Sequence, residues 1–236
     1  MKDWREVMTE RGTRTDKPMK PQVVTHQLNK LIDDDAILIT DSGTITSWVA
    51  RHVDIRGRMM FSCSGTLASM ACGLPYSIGA TIAYPDRQVI AVIGDGSAAM
   101  LMGDFVTLRK YNLNAKIIVI KNNALGQIKW EQMVFLGNPE YGCELEPIEF
   151  AKVAEGVGIH AVTIDDPARC ADQLREALAT PGPCLIEAVV DPYEPPFPPK
   201  IEMKQALNMG KALAKGTPHA MKTALTLASD TVRELV

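Results

Sequence analysis

Apolar residues in this chain fall into short unbroken runs: AILIT at 36–40, QVIAVI at 88–93, KIIVI at 116–120, HAVTI at 160–164 and CLIEAVV at 184–190. Runs of this length, rich in Ile and Val and bounded by Gly, Asp, Asn or Pro, predict strands buried on both faces. Between them lie stretches with helical spacing, at 22–31 (Val23, Val24, Leu28, Leu31), 45–52, 103–111, 148–155 and 167–179. The last begins with a proline, which suits a first turn. Small residues around a central Gly-Leu-Pro predict a further helix over 69–84. Strands alternating with helices predict an α/β fold, a doubly wound and mostly parallel sheet with helices on both faces.

The two ends differ from this pattern. Residues 1–18 are charged, close on Asp16-Lys17-Pro18, and read as a helix fragment followed by a linker or the remnant of a preceding domain. The α/β domain then occupies 19–191. Beyond it, DPYEPPFPPK at 191–200 is too rich in proline for a helix or an inner strand and reads as an extended strap. Residues 202–236 carry two helical patterns split by Gly216-Thr217-Pro218, a C-terminal helical tail. The second places Met221, Leu225, Leu227, Val232 and Leu235 among polar residues, with Lys222 and Arg233 as its basic residues. So little positive charge suits packing on the parent protein better than an anionic membrane surface.

Composition narrows the picture. The chain has 236 residues and 25.8 kDa, enough for one large domain, and 46% hydrophobic content supports a core. A formal net charge of −3 gives no reason to expect nucleic acid, and Lys20 and Lys30 read as solvated helix faces. The five cysteines, Cys63, Cys72, Cys143, Cys170 and Cys184, form no CxxC, and His26, His52, His160 and His219 complete no zinc pattern. They read as ordinary thiols of a reducing cytosol and as plain surface or core imidazoles. The start is polar, without the apolar stretch of a secretory leader, and no run of 18 apolar residues exists to span a membrane.

The candidate chemistry sits where two predicted strands end. The run into Ile93 meets Gly94-Asp95-Gly96, and the run into Ile120 meets Asn122-Asn123. Parallel strands joined by a helix place both motifs at one sheet edge, the edge at which α/β folds bind ligands. An anionic Asp95 and a neutral Asn122 carbonyl, with the backbone carbonyl of Ala124 as a third donor, suit a hard divalent cation bound to a diphosphate. Gly94 and Gly96 permit close backbone approach, and Ser97 and Ala98 open a helix whose N–H groups face the phosphates. Asp41-Ser42-Gly43, at the end of the first strand, is a further candidate to line the site.

Together these motifs resemble the thiamine diphosphate signature, a GDG followed by an NN. The resemblance extends through SGTLASMACGLPYSIGA at 64–80 and DFVTLRKYNL at 104–113, and covers about 19–190. It is similar to the pyrophosphate-binding domain of the pyruvate oxidase, quinone-dependent pyruvate dehydrogenase and acetolactate synthase family. The resemblance implies Mg²⁺ held by Asp95, Asn122 and Ala124. It implies cofactor contacts at Gly94, Asp95, Gly96, Ser97 and Ala98, at Ala68, Ser69 and Met70, and at Asn122, Ala124, Leu125, Gly126, Gln127 and Ile128. In it, the Ala68 carbonyl accepts from the aminopyrimidine and Met70 props the cofactor, although from periodicity alone Met70 reads as core packing.

The resemblance further implies decarboxylation of a 2-oxoacid, pyruvate foremost, as part of a homo-oligomeric cytoplasmic oxidoreductase. Glu131, after the NN, matches a glutamate that approaches the substrate. Gln127 departs from the bulky aromatic that some pyruvate oxidases carry there, which leaves an acetolactate synthase-like carboligase or a non-oxidative decarboxylase open. FAD in the full-length enzyme would be held upstream of this segment. The glutamate that helps activate the cofactor comes from a separate pyrimidine-binding domain, so this chain is expected to hold part of a composite site. A truncated enzyme, a separate subunit of a split enzyme and a non-catalytic thiamine diphosphate-binding or assembly module are the three alternatives.

Overall fold

The computed structural model describes residues 2–196 and 202–235, with side chains over 4–196 and 202–228. The end of the proline-dense strap (197–200) and the side chains of Val232, Arg233 and Leu235 lie outside the described part. The chain forms two compact units, one of Met1–Asn122 with Pro147–Asp191, the other of Asn123–Glu146 with Pro192–Val236.

The first unit opens with α1 (Lys2–Gly12), α2 (Pro21–Leu31), β1 (Ile37–Thr40), α3 (Thr44–His52), β2 (Met60–Ser62) and α4 (Gly73–Ala83). It continues through β3 (Val89–Gly94), α5 (Asp95–Leu101), α6 (Phe105–Lys110) and β4 (Ala115–Lys121). After α7 (Gly126–Val134), which lies in the second unit, come α8 (Phe150–Gly156), β5 (His160–Ile164), α9 (Cys170–Ala179) and β6 (Cys184–Val189). The strands form one parallel sheet in the order β2-β1-β3-β4-β6-β5. A parallel sheet must be covered on both faces, and successive side chains alternate between them. Ile90, Val92, Ile118 and Ile120 accordingly pack with Val24, Leu28, Trp48 and Leu174 of α2, α3 and α9. Val89, Ala91, Ile93, Ile117 and Val119 pack with Leu74, Ala98, Phe105 and Phe150 of α4, α5, α6 and α8. Each fully buried Ile or Val contributes about 1.5–3 kcal/mol.

The doubly wound α/β reading holds, with four local corrections. Strand β2 carries no apolar run because it is a three-residue edge strand whose Met60 and Phe61 are exposed. The helix expected over 69–84 starts at Gly73, because Ala68 (φ 49°) and Ala71 (φ 67°) adopt left-handed backbone that no right-handed helix carries. A 3₁₀ turn at Met102–Asp104 takes the start of the helix expected over 103–111. The helix expected from 167 begins at Cys170, since Asp166 Oδ1 accepts the Ala168 N–H at 3.0 Å in a preceding turn.

Buried polar groups, invisible to periodicity, tie the unit together. Glu187 on β6 pairs with Lys121 on β4 at 2.9 Å, both almost wholly buried. Its carboxylate also accepts the Phe150 and Ala151 N–H groups at 3.2 and 3.4 Å and the Thr163 hydroxyl at 3.1 Å. A strand residue thus caps the N-terminus of α8. Lys20, expected on a solvated face, is buried against Asp191 at 2.8 Å, and the Asp191 N–H donates to Met19 at 2.8 Å. The His26 and His52 rings meet edge to face at 6.3 Å between α2 and α3. Burial, with His26, Arg51 and Arg11 adding to it, pushes His52 down to about 3. Of the five cysteines, all free thiols, four are buried and Cys63 is half-buried.

In the second unit, Trp130, Met133 and Val134 of α7 pack on Met209 and Ala212 of α10 (Met203–Ala214). Asn208 Nδ2 donates to the Val134 and Phe135 carbonyls at 3.1 and 2.9 Å, which caps α7 at its C-terminus. Lys129 is buried, paired with Glu140 at 3.0 Å and 4.9 Å from the Tyr193 ring. On α11 (Ala220–Leu235), Leu227 packs against this cluster while Met221 and Leu225 are exposed. No helix among the described residues is long and apolar enough to cross a membrane.

Removing one member of a buried ion pair leaves the other uncompensated, at a cost of about 3–5 kcal/mol. Glu187→Gln should lose stability on that scale in urea denaturation, and a loss no larger than a surface substitution would show the pair to be inert. An unfolded imidazole titrates near 6.5, so the folded chain binds fewer protons than the unfolded one between that value and about 3. The His52 contribution is therefore complete above about pH 6.5 and is lost as pH falls through that window, by at most about 1.4 kcal/mol per pH unit. His52→Gln should flatten the decline in melting temperature between about pH 6.5 and pH 5. Parallel curves for the two proteins would count against it.

Candidate functional site

Strand order reverses between β1 and β3: β2 lies outside β1, while the chain returns to β3 on the other side. The crevice at such a switch point, beyond the carboxyl ends of the strands, is where open α/β sheets take ligands. At the end of β3, Asp95 is 5% exposed. Its Oδ1 accepts the Gly96 N–H at 2.9 Å and its Oδ2 accepts the Asn122 N–H at 2.9 Å. Register pairs Gly94 with Ile120, so the carboxylate reaches across one strand spacing to the end of β4. The two motifs therefore meet through a carboxylate–amide contact. Helix α5 begins at Asp95, earlier than the expected opening at Ser97, and the Ala98 methyl is packed in the core.

At the end of β1, Asp41 is fully buried. Its Oδ1 accepts the Gly73 N–H at 2.7 Å, and its backbone carbonyl accepts the Thr46 hydroxyl at 2.5 Å. Ser42 Oγ donates to the Ser64 carbonyl at 3.2 Å, and Ser64 Oγ accepts the Ser69 N–H at 3.1 Å. The loops after β1 and β2 are thus laced together. A Cβ on Gly73 would lie 2.5 Å from Ile93 Cγ2 and 3.3 Å from Asp41 Oδ1, so only glycine brings this amide to the carboxyl. Burial pushes the Asp41 carboxyl above the usual range, against the Gly73, Cys72 and Ser97 groups that face it.

The loop before α4 presents Ala68, Ser69 and Met70 on the surface. Met70 is 37% exposed, so core packing does not account for it. Left-handed backbone at Ala68 and Ala71, and at Asn123 (φ 53°), marks segments held in costly conformations, a pattern common at binding sites. A Cβ added at Gly43 or Gly94 would meet nothing within 4 Å, so open space lies over both strand ends.

The remaining candidates belong to the second unit. There the Leu125 N–H donates to the Cys143 carbonyl at 2.7 Å and the Leu145 N–H to Asn123 at 2.9 Å, with Ala124 bridging Glu144. Gly126 opens α7, Ile128 is exposed, and Gln127 Nε2 donates to Glu131 Oε1 at 2.8 Å, one turn apart.

Among the described residues, no group of three or more His, Cys, Asp or Glu side chains could hold a metal ion. The donors at hand are one carboxylate, one carboxamide and backbone carbonyls. That sparse set fits Mg²⁺, which keeps waters and phosphate oxygens among its ligands, and fits zinc poorly.

The family model for the C-terminal TPP (thiamine pyrophosphate) binding domain of thiamine pyrophosphate enzymes matches residues 41–188. The chain belongs to this family. It is 36% identical over 215 residues to YdaP of Bacillus subtilis (strain 168), a protein named for thiamine pyrophosphate, covering 91% of this chain and 37% of that protein. It is 31% identical over 208 residues to the pyruvate oxidase of Lactiplantibacillus plantarum, covering 87% of this chain and 34% of the relative. A solved thiamine diphosphate-dependent 4-hydroxybenzoylformate decarboxylase from Rhodococcus jostii RHA1 matches with a TM-score of 0.69 and 25% identity, over 75% of this chain and 34% of that one. The chain spans about a third of the length of the relatives it matches. Within this thiamine pyrophosphate enzyme domain, the match begins at Asp41, just after β1, and takes in the ends of β3 and β4.

Sequence reasoning missed Gly73 and the lacing role of Asp41. The Gly-Leu-Pro read as small-residue helix packing, and nothing local reveals that Ile93 crowds it. Gly73→Ala should destabilise the chain by about 1–3 kcal/mol in urea denaturation, as overpacked cores do. Gly79→Ala, in the same helix with nothing within 4 Å of its new methyl, should be neutral or gain about 0.5–1 kcal/mol. Equal effects at both positions would refute the crowding at Gly73.

Proposed function

We propose that this chain binds thiamine diphosphate with Mg²⁺ and forms the diphosphate-gripping part of a 2-oxoacid-decarboxylating enzyme, with pyruvate as the foremost substrate. The observation that carries the reading is the Asp95 carboxylate fastened between the Gly96 and Asn122 amides at the rim of β3 and β4. A carboxylate held this way needs little reorganisation to meet a cation. Asp95 and the Asn122 carboxamide hold the metal, which neutralises the diphosphate without a phosphate-binding lysine. The Ser97 hydroxyl and the Ala98 N–H contact the diphosphate, Met70 props the ring system, and the Ala68 carbonyl accepts from the aminopyrimidine. When bound, the cofactor stabilises the carbanion left as a 2-oxoacid loses CO₂. Glu131, the candidate for a substrate contact, is held by its bond from Gln127.

A pyrimidine-binding domain from the same or a neighbouring chain completes the site in this reading, within a cytoplasmic homo-oligomer. Tyr76 and Ile82 on α4, Met100 and Leu101 on α5 and Val106 on α6 are exposed, apolar surface of the kind assemblies cover. Gln127 favours a second reading, a carboligase or non-oxidative decarboxylase in place of an oxidase, since it supplies no aromatic ring for electron transfer. A carboligase relative and the solved decarboxylase support it: the acetolactate synthase isozyme 1 large subunit of Escherichia coli is 33% identical over 168 residues, covering 71% of this chain and 30% of the relative.

Calorimetric titration with thiamine diphosphate tests the first claim. Binding is expected in Mg²⁺ and its loss in chelator. Asp95→Ala and Asn122→Ala should each weaken it by roughly 10-fold or more, the scale of a lost charge-assisted contact. Unaltered affinity in both variants would remove the metal-site assignment.

A further inference from the structure

We propose that Asp41 stays a protonated carboxylic acid in the folded chain and acts as a positioning residue, its O–H directed to the Ser97 hydroxyl so that Ser97 presents its own proton to the cofactor diphosphate. The inference rests on the thiamine diphosphate reading for its second half only. Asp41 is fully buried, its Oδ1 takes the Gly73 N–H at 2.7 Å and its Oδ2 has no partner in hydrogen-bond geometry, while the Cys72 N–H and thiol and the Ser97 hydroxyl also face the carboxyl. An ionised carboxylate in such a place requires a cation or several donors. None of the ion pairs described involves Asp41.

The groups packed around it are neutral. From α4 comes the Cys72 thiol, pushed up to about 11 by burial and by Asp41 itself, and bonded to the Thr40 carbonyl at 3.6 Å. From α5 comes the Ser97 hydroxyl, 3% exposed. A neutral acid has one donor and acceptor capacity to spare. Its carbonyl oxygen takes the Gly73 amide and its O–H turns to Ser97, which satisfies the oxygen that ionisation would leave bare. The same acid bridges α4 and α5, the two helices that follow β2 and β3. A second ionised carboxylate beside Asp95 would also repel an incoming diphosphate, whereas a neutral one adds no charge.

Infrared spectroscopy and cofactor titration of the full chain test the two halves. Wild-type protein at neutral pH should show a protonated-carboxyl C=O band that Asp41→Asn removes. The asparagine keeps the acceptor for Gly73 and a donor for Ser97. It should therefore hold the affinity for thiamine diphosphate and Mg²⁺ within about threefold, while Asp41→Ala weakens it by about tenfold or more. A missing band overturns the protonation, and an asparagine variant as weak as the alanine variant overturns the positioning. If Asp41→Ala does not fold, the band and the asparagine affinity decide the matter, a loss of about tenfold in Asp41→Asn overturning the proposal. A wild-type chain that takes up no cofactor overturns the proposed function and the positioning role with it, and the band still judges the proton.

Discussion

Parallel pairing of β1, β3 and β4 is the constraint from which the site follows. Strands that run the same way deliver all their carboxyl ends to one edge, and each end must there hand its chain to a helix. The groups released at that edge are Asp41 from β1, Asp95 from β3 and Asn122 from β4. No two of them are neighbours in the chain, yet they come from strands that lie side by side, about 4.7–4.9 Å from one to the next. The contact from Asp95 to the Asn122 amide is what this spacing allows.

The two acids at the edge are held differently, and the difference is electrostatic. Asp95 receives a backbone N–H on each carboxylate oxygen. Asp41 lies deeper, receives one from Gly73, and is faced by the Cys72 thiol and the Ser97 hydroxyl. One rim thus holds an acid fastened between two amides and, a strand away, a neutral group that ties loops. Binding a diphosphate beside two fixed negative charges would cost more than beside one.

Away from the edge, the fold relies on polar groups buried with their partners. Glu187 serves Lys121, Thr163 and the first amides of α8, four elements secured by one side chain. Lys121 immediately precedes Asn122, so the pair also steadies the backbone from which that amide projects. Lys20 and Asp191 close the first unit at its two ends in the same manner.

The strands and most helices were legible in the residues because burial on both faces writes an unbroken apolar run, and burial on one face a helical period. Either motif alone is an ordinary turn, but the GDG and NN were legible as a pair because each closes an apolar run and parallel strands bring both to one edge. Tertiary structure alone decided the rest. A lysine within an apolar strand, such as Lys121, looks like a blemish until Glu187 is brought beside it. Gly73 looks like helix packing until Ile93 crowds it. Asp41 looks like a residue that lines the site until two loops close over it and remove the water that would keep it charged. Each of these depends on a neighbour far away in the chain, and local pattern records only what a residue needs from its immediate surroundings.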